Sequence, residues 1–353
     1  MELTTVWFCL IALLWMGYFV LEGFDFGVGM LLPVLARDDR ERRVLINTIG
    51  PVWDGNEVWV LTAGGATFAA FPEWYATLFS GFYLPLLLIV MALIVRGVAF
   101  EFRHQRPGRA WAAWWDRAIV IGSLVPALLW GVAFANIVRG VPIDADKNFT
   151  GSIWTLLNPF GILGGLMTLA LFLTHGAMFI ALKTDGDIRH RARRLSVYLG
   201  VVAAVLAVVF LAWTEVHTGN LASAILFIGA AVCLVAGVAA AALGREGWGF
   251  LGTFLTLLLA VAGLFEALFP EVMPTTLANG TSLTTTNAAA THYTLTVMTI
   301  IAAIFTPFVV AYQAWTYWVF RKRIAVHHIP SDELAHSSRA KIGLDPDPEG
   351  VVD

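Results

Sequence analysis

Four ionisable residues, Asp25, Asp54, Glu57 and Arg96, lie within three of the most apolar stretches of this chain. An ionised side chain near a bilayer centre costs ~2.5 to 3.5 kcal/mol unless it is paired or hydrated, so groups retained there point to ion pairing, proton transfer or ion coupling. Glu22 joins them, because Tyr18, Glu22, Asp25 and Gly29 fall on one helical stripe at i, i+3, i+4 spacing. Asp54, Glu57 and Leu61 form a second stripe by the same spacing. Two readings stay open at this point. In one, Asp25 or Asp54 forms a static ion pair with Arg96 that fixes helix register. In the other, the carboxylates exceed the bases at that depth, and the surplus acids conduct protons. The same residues would serve an ion-coupled secondary transporter, which predicts inverted repeats and broken midplane helices.

The elements that must hold these groups are transmembrane helices. The chain has 353 residues, 58% hydrophobic and 13% charged, broken into apolar runs of bilayer length. Runs such as 82–95 and 195–213 are apolar on every face, which excludes the alternating strands of an outer-membrane barrel. Nine spans are expected, at 6–33, 49–71, 76–101, 115–138, 159–183, 195–214, 221–243, 247–270 and 292–320. The first reads as a retained helix, since Glu2 stands where a signal peptide carries positive charge. Arginine recurs in alternate loops, at Arg37, Arg40, Arg42 and Arg43, then Arg103, Arg106 and Arg109, then Arg189, Arg191, Arg193 and Arg194. The positive-inside rule then places the N-terminus outside and the C-terminus in the cytoplasm. Residues 1–323 are expected to form one membrane domain, and 324–353 a mobile cytoplasmic tail without chemistry. No nucleic-acid partner is expected.

At 1.5 Å of rise per residue, Asp25 lies ~12 Å from the inner end of the first span, Asp54 ~8 Å above the start of the second, and Arg96 ~8 Å from the inner end of the third. Asp116 and Arg117 stand at the mouth of the fourth. Gly23, Gly27 and Gly29, with Ala63, Gly64, Gly65 and Ala66, are expected to let neighbouring helices approach closely. Pro85, Pro126 and Pro307 are expected to kink their helices.

Of eight histidines, only His175 is deep, so a bis-histidine haem within this chain is not expected. Cys9 and Cys233 fall inside spans, and neither Cys nor His shows metal-ligand spacing. Trp53 and Trp59 flank the acids of the second span, either as core packing or as the lining of a pathway or partner contact.

Several segments then stand out together: GFDFGVGML at 23–31, PVWDGNEVW at 51–59 followed by AGGATFAAFP at 63–72, and SGFYLPL at 80–86. With Arg96, GSLVPALLWGVAFANIVRGVP at 122–142 and LLNPFG at 156–161, they resemble subunit II of the cytochrome bd quinol oxidases. The resemblance implies an all-α membrane fold of two four-helix bundles plus one peripheral helix. It implies pairing with a haem-bearing subunit I that holds two b haems and a d-type haem, oxidises quinol and reduces oxygen to water, with a small accessory subunit in some members. No haem is implied in this chain. Asp54 is assigned by the resemblance to a cytoplasmic proton path and Trp59 to an oxygen channel, while Asp25, Arg96 and Asp116 match polar positions of the family pattern. A prokaryotic cytoplasmic membrane follows as the location.

Overall fold

The structure is a computed structural model that describes residues 2–329. Twelve α-helices follow in chain order: α1 (Leu3–Leu35), α2 (Asp39–Ile49), α3 (Trp53–Ala70), α4 (Pro72–Gly81), α5 (Tyr83–Phe102), α6 (Arg109–Arg139), α7 (Ile153–Leu156), α8 (Pro159–Lys183), α9 (Asp187–Thr218), α10 (Leu221–Ala242), α11 (Glu246–Leu268) and α12 (His292–Val319). Among the described residues, eight of these helices are long and apolar enough to cross a membrane: α1, α5, α6 and α8 to α12. The chain is a multi-pass helical membrane protein.

The helices differ from the expected spans at one end of the second and third. Helix α3 begins at Trp53 because Pro51, with no N–H to continue the helical ladder, ends the amphipathic α2, which Asp38 caps by accepting from the Glu41 amide at 2.8 Å. With 18 residues, α3 spans only ~27 Å and is not among the eight. The expected span at 76–101 is two helices, α4 and α5, parted at Phe82. Pro85 therefore sits in the first turn of α5, where its missing N–H interrupts no helical bond, and it starts a helix instead of kinking one.

Helix α1 is the axle of the molecule. From Tyr18 to Leu32 it is buried on nearly every face, against α3, α6, α8 and α11. Helix α5 packs on α6, α6 on α8, and α8 to α11 follow one another in contact, while α12 touches α1 and α3 and is otherwise outward-facing. A Cβ built on Gly27 would lie 2.7 Å from the Gly176 Cα and closer still to the Phe172 carbonyl, so α1 and α8 touch backbone to backbone. Gly64 and Gly65 behave differently from the expectation of close packing. A Cβ built on either would have nothing within 4 Å among the described residues, because that face of α3 points away from the other helices.

At one end, the α6–α7 and α11–α12 connections interlock. The Val141 amide donates to the Pro274 carbonyl at 3.0 Å, the Thr276 amide returns to Val141 at 3.0 Å, and a short antiparallel pair, β1 (Glu271–Met273) with β2 (Leu283–Thr284), closes the longer loop. At the other end, the first residues of the expected tail are bonded to the domain. The Ile324 amide donates to the Lys183 carbonyl at 2.8 Å, and Arg40 donates to the carbonyls of Val326 and Ile329 at 3.0 and 2.9 Å. Residues 324–329 of the expected tail are thus bonded to the helices; the rest of it, 330–353, lies outside the described residues.

Candidate functional site

Four helices meet around Arg96. It projects from α5 into a site closed by α1 and α6, and a Cβ on Gly122 of α6 would strike the Arg96 Cβ at 2.6 Å, so only glycine lets α6 close over it. The guanidinium is fully buried, with its carbon 4.9 Å from the Phe26 ring centroid and 5.3 Å from that of Phe100. Its Nη1 donates to Glu22 Oε1 on α1 and, at 2.9 Å, to Glu57 Oε1 on α3. Glu22 is wholly buried, whereas the Glu57 side chain is 20% exposed, so Glu57 connects the pair to the outer face of α3.

One turn along α1, the buried Asp25 accepts from Asn56 Nδ2 at 2.7 Å. The Asn56 carbonyl accepts from the Tyr317 hydroxyl at 2.8 Å and from Gln313 Nε2 at 3.0 Å, both on α12. Asn56 is thus a hub joining α1, α3 and α12. Among the described residues, five atoms of the cluster, Arg96 Nε and Nη2, Glu22 Oε2, Asp25 Oδ1 and Ser123 Oγ, are buried without a hydrogen-bond partner. Leaving such a group unsatisfied costs ~1–3 kcal/mol, and more when it is charged. The site is polar on several sides at once, and it sets three carboxyl groups against one guanidinium.

The expected residues fall into three places. Glu22, Asp25, Glu57 and Arg96 come together, but Arg96 pairs with the two glutamates and with neither Asp25 nor Asp54. Periodicity assigns residues to a stripe without saying which member reaches a neighbour. Asp54 lies apart: it is in the first turn of α3 and exposed, on the same outward side as Val58 and Leu61. The expected stripe of Asp54, Glu57 and Leu61 therefore splits, with Glu57 turned inward. Asp116 belongs to a second cluster at the arginine-rich end, where its carboxylate accepts from Arg103 Nε at 2.6 Å and lies 3.7 Å from Arg42 Nε. Arg103 also donates to Asp39 at 2.6 Å. Burial alone would lower the Arg103 pKa, but the Asp116 carboxylate and then Asp39 outweigh it and raise it, so that this clasp between α2, α5 and α6 stays charged.

The tryptophans of the motif pack inside this chain. Trp53 meets Phe100 with centroids 5.1 Å apart, and Trp59 lies so close to Gly17 that a Cβ there would fall 2.2 Å from its ring. Both stay half-exposed. His175 has both ring nitrogens engaged, Nδ1 with Thr253 Oγ1 at 2.7 Å and Nε2 with the Val20 carbonyl at 3.2 Å, and it stacks on Phe250. Among the described residues, no group of His, Cys, Asp or Glu is arranged to hold a metal ion. Sequence reasoning missed Asn56, Gln313 and Tyr317. Asn56 stood in plain view inside WDGNEVW, but nothing marked the two α12 residues as its partners.

Fold and site together define a polytopic membrane protein with a buried carboxylate–guanidinium network. The particular family follows from comparison. The profile of the cytochrome bd terminal oxidase subunit II family matches residues 3–320, and this chain belongs to that family. It is 43% identical over 332 residues to cytochrome bd ubiquinol oxidase subunit 2 of Bacillus subtilis, covering 92% of this chain and 97% of that one. It is 35% identical over 363 residues to cytochrome bd-I ubiquinol oxidase subunit 2 of Escherichia coli K12, covering 92% and 96%. In fold it is similar to a chain of the bd oxidase from Geobacillus thermodenitrificans, with a TM-score of 0.74 at 15% identity over 91% of this chain and 99% of that chain.

Proposed function

We propose that this chain is the haem-free subunit II of a quinol:oxygen oxidoreductase, and that its buried network delivers protons from the cytoplasm towards oxygen reduction in a haem-bearing subunit I. The observation that carries the reading is the network itself: Glu22, Asp25 and Glu57 around Arg96, linked through Asn56 to Tyr317. Three acids on one base leave carboxyl groups able to take and pass protons, which a static ion pair would not require. In this reading Asp54, exposed at the start of α3, collects protons, and Glu57, one turn further on and bonded to Arg96, passes them inward. Family membership favours this reading over an ion-coupled transporter.

The redox centres, two b haems and a d-type haem, belong in this reading to the partner. Among the described residues, both ring nitrogens of the deep His175 are hydrogen-bonded within this chain, which is consistent with that assignment. Nine crossings are inferred, with α3 as the ninth: α1, α3, α5 and α6 form one four-helix bundle, α8 to α11 the other, and α12 is peripheral. The outward side of α3, with Gly64, Gly65 and Leu61 bare, suits a tightly packed partner helix. In this reading Trp59, half-exposed beside it, lines an oxygen route. The arginine-rich end faces the cytoplasm, the C-terminal segment included.

The test is oxygen consumption by the purified complex carrying Asp54→Asn or Asp25→Asn, with the haem absorption spectrum as the control for assembly. The expected result is a loss of turnover of about 100-fold or more with haem content retained, in the range that proton-transfer groups contribute. Unchanged turnover in both variants would reduce the acids to a structural role.

A further inference from the structure

A cleft of about 500 Å³ opens between α1, α8, α11 and α12 at the arginine-rich end. Its inner wall is apolar, formed by Phe24, Phe179, Phe250 and Phe254 among others. Its rim carries Lys183, Arg321 and Arg323, and none of the described residues lining it is acidic. The three cations are unequally engaged. Lys183 donates to the carbonyls of Phe320 and Lys322, and Arg321 lies 4.3 Å from the centroid of the Trp318 ring. Arg323 is half-buried and makes no hydrogen bond or ion pair among the described residues.

A guanidinium partly withdrawn from water without a countercharge is costly, and an anion at the cleft mouth relieves that cost. An apolar interior beneath a cationic rim matches one kind of molecule. We propose that the cleft binds one anionic diacyl phospholipid from the leaflet at the arginine-rich end, with its phosphate at Arg323 between Lys183 and Arg321 and its acyl chains along the phenylalanine wall. Basic pockets between transmembrane helices recognise anionic head groups in this way. A neutral amphiphile would fill the wall and leave the cations unmatched. Tyr317 lines the same cleft and donates to Asn56, so the bound lipid braces α12 where it meets the Asp25 network. The site does not depend on the redox reading, which the haem spectrum reports separately.

The experiment uses the intact complex, stripped of co-purified lipid by detergent washing and then titrated with dioleoyl phosphatidylglycerol or dioleoyl phosphatidylcholine, with bound lipid counted by native mass spectrometry. Phosphatidylglycerol is expected to bind about tenfold more tightly, and the Lys183→Gln, Arg323→Gln double variant to lose that preference. Arg109→Gln, an exposed arginine at the same end, is expected to keep it. Phe254→Trp, which fills the cleft without altering charge, is expected to weaken phosphatidylglycerol binding and supplies the test should the double variant fail to assemble. Equal binding of the two lipids, wild-type binding by either cleft variant, or a quinone as the tightly retained molecule would overturn the proposal.

Discussion

Arg96 is the residue on which the buried network turns. Replacing it with leucine leaves Glu22 and Glu57 without their countercharge, and breaking a buried pair from one side costs ~3–5 kcal/mol. Arg96→Leu is therefore expected to lower the yield and thermal midpoint of the assembled complex. Adding Glu22→Gln and Glu57→Gln in the same chain should recover much of that stability, since neutral amides do not need the base, while oxygen consumption stays lost. Recovery of both would show that the network serves packing alone. Asn56 is the other pivot, for it satisfies Asp25, Gln313 and Tyr317 together. No aliphatic residue of similar size could do so.

Among the elements, α1 buries Glu22 and Asp25 because its neighbours can come so close. Gly27→Leu would drive a side chain into the Phe172 carbonyl and the Gly176 backbone, forcing α1 from α8. The expected outcome is failure of the complex to assemble, seen as loss of the haem-bearing partner from affinity-purified material and of this chain from the membrane fraction. Gly65→Leu is the contrasting case. A Cβ there has nothing within 4 Å among the described residues, so the subunit is expected to reach the membrane at normal levels while the amount of partner co-purified with it falls. Equal partner recovery from Gly65→Leu and wild type would move the subunit interface off this face of α3. The α2, α5 and α6 clasp around Arg103 shows how a short amphipathic helix is pinned at the membrane surface by charge.

For the molecule as a whole, the consequential quantity is orientation, since a proton path is useful only if its open end faces the proton source. The interlocked loops at 140–152 and 269–291 and the arginine-rich loops lie at opposite ends of the helices. In a chain with Cys9→Ala and Cys233→Ala, Thr286→Cys is expected to react with a membrane-impermeant maleimide in intact cells, and His190→Cys only after permeabilisation. The reverse pattern would put Asp54 and Arg103 on the outer side and remove cytoplasmic proton delivery through them.

Sequence alone determined that this is a helical membrane protein, where most of its spans lie, which loops carry the positive charge, and that a few acids and one arginine share a depth. Those properties are written in composition and length, because a bilayer demands continuous apolar helices and tolerates few charges. The family pattern was legible too, in WDGNEVW and its neighbouring segments. What only the tertiary structure decided was which groups meet. Helical periodicity gives the angle between residues of one helix but not the rotation of that helix against its neighbours, so the exposure of Asp54, the inward turn of Glu57 and the choice of glutamates by Arg96 were all beyond it. Nor could it show that Gln313 and Tyr317, far along the chain, complete the polar surroundings of Asp25 through Asn56, because that contact exists only once α12 has docked across α1 and α3.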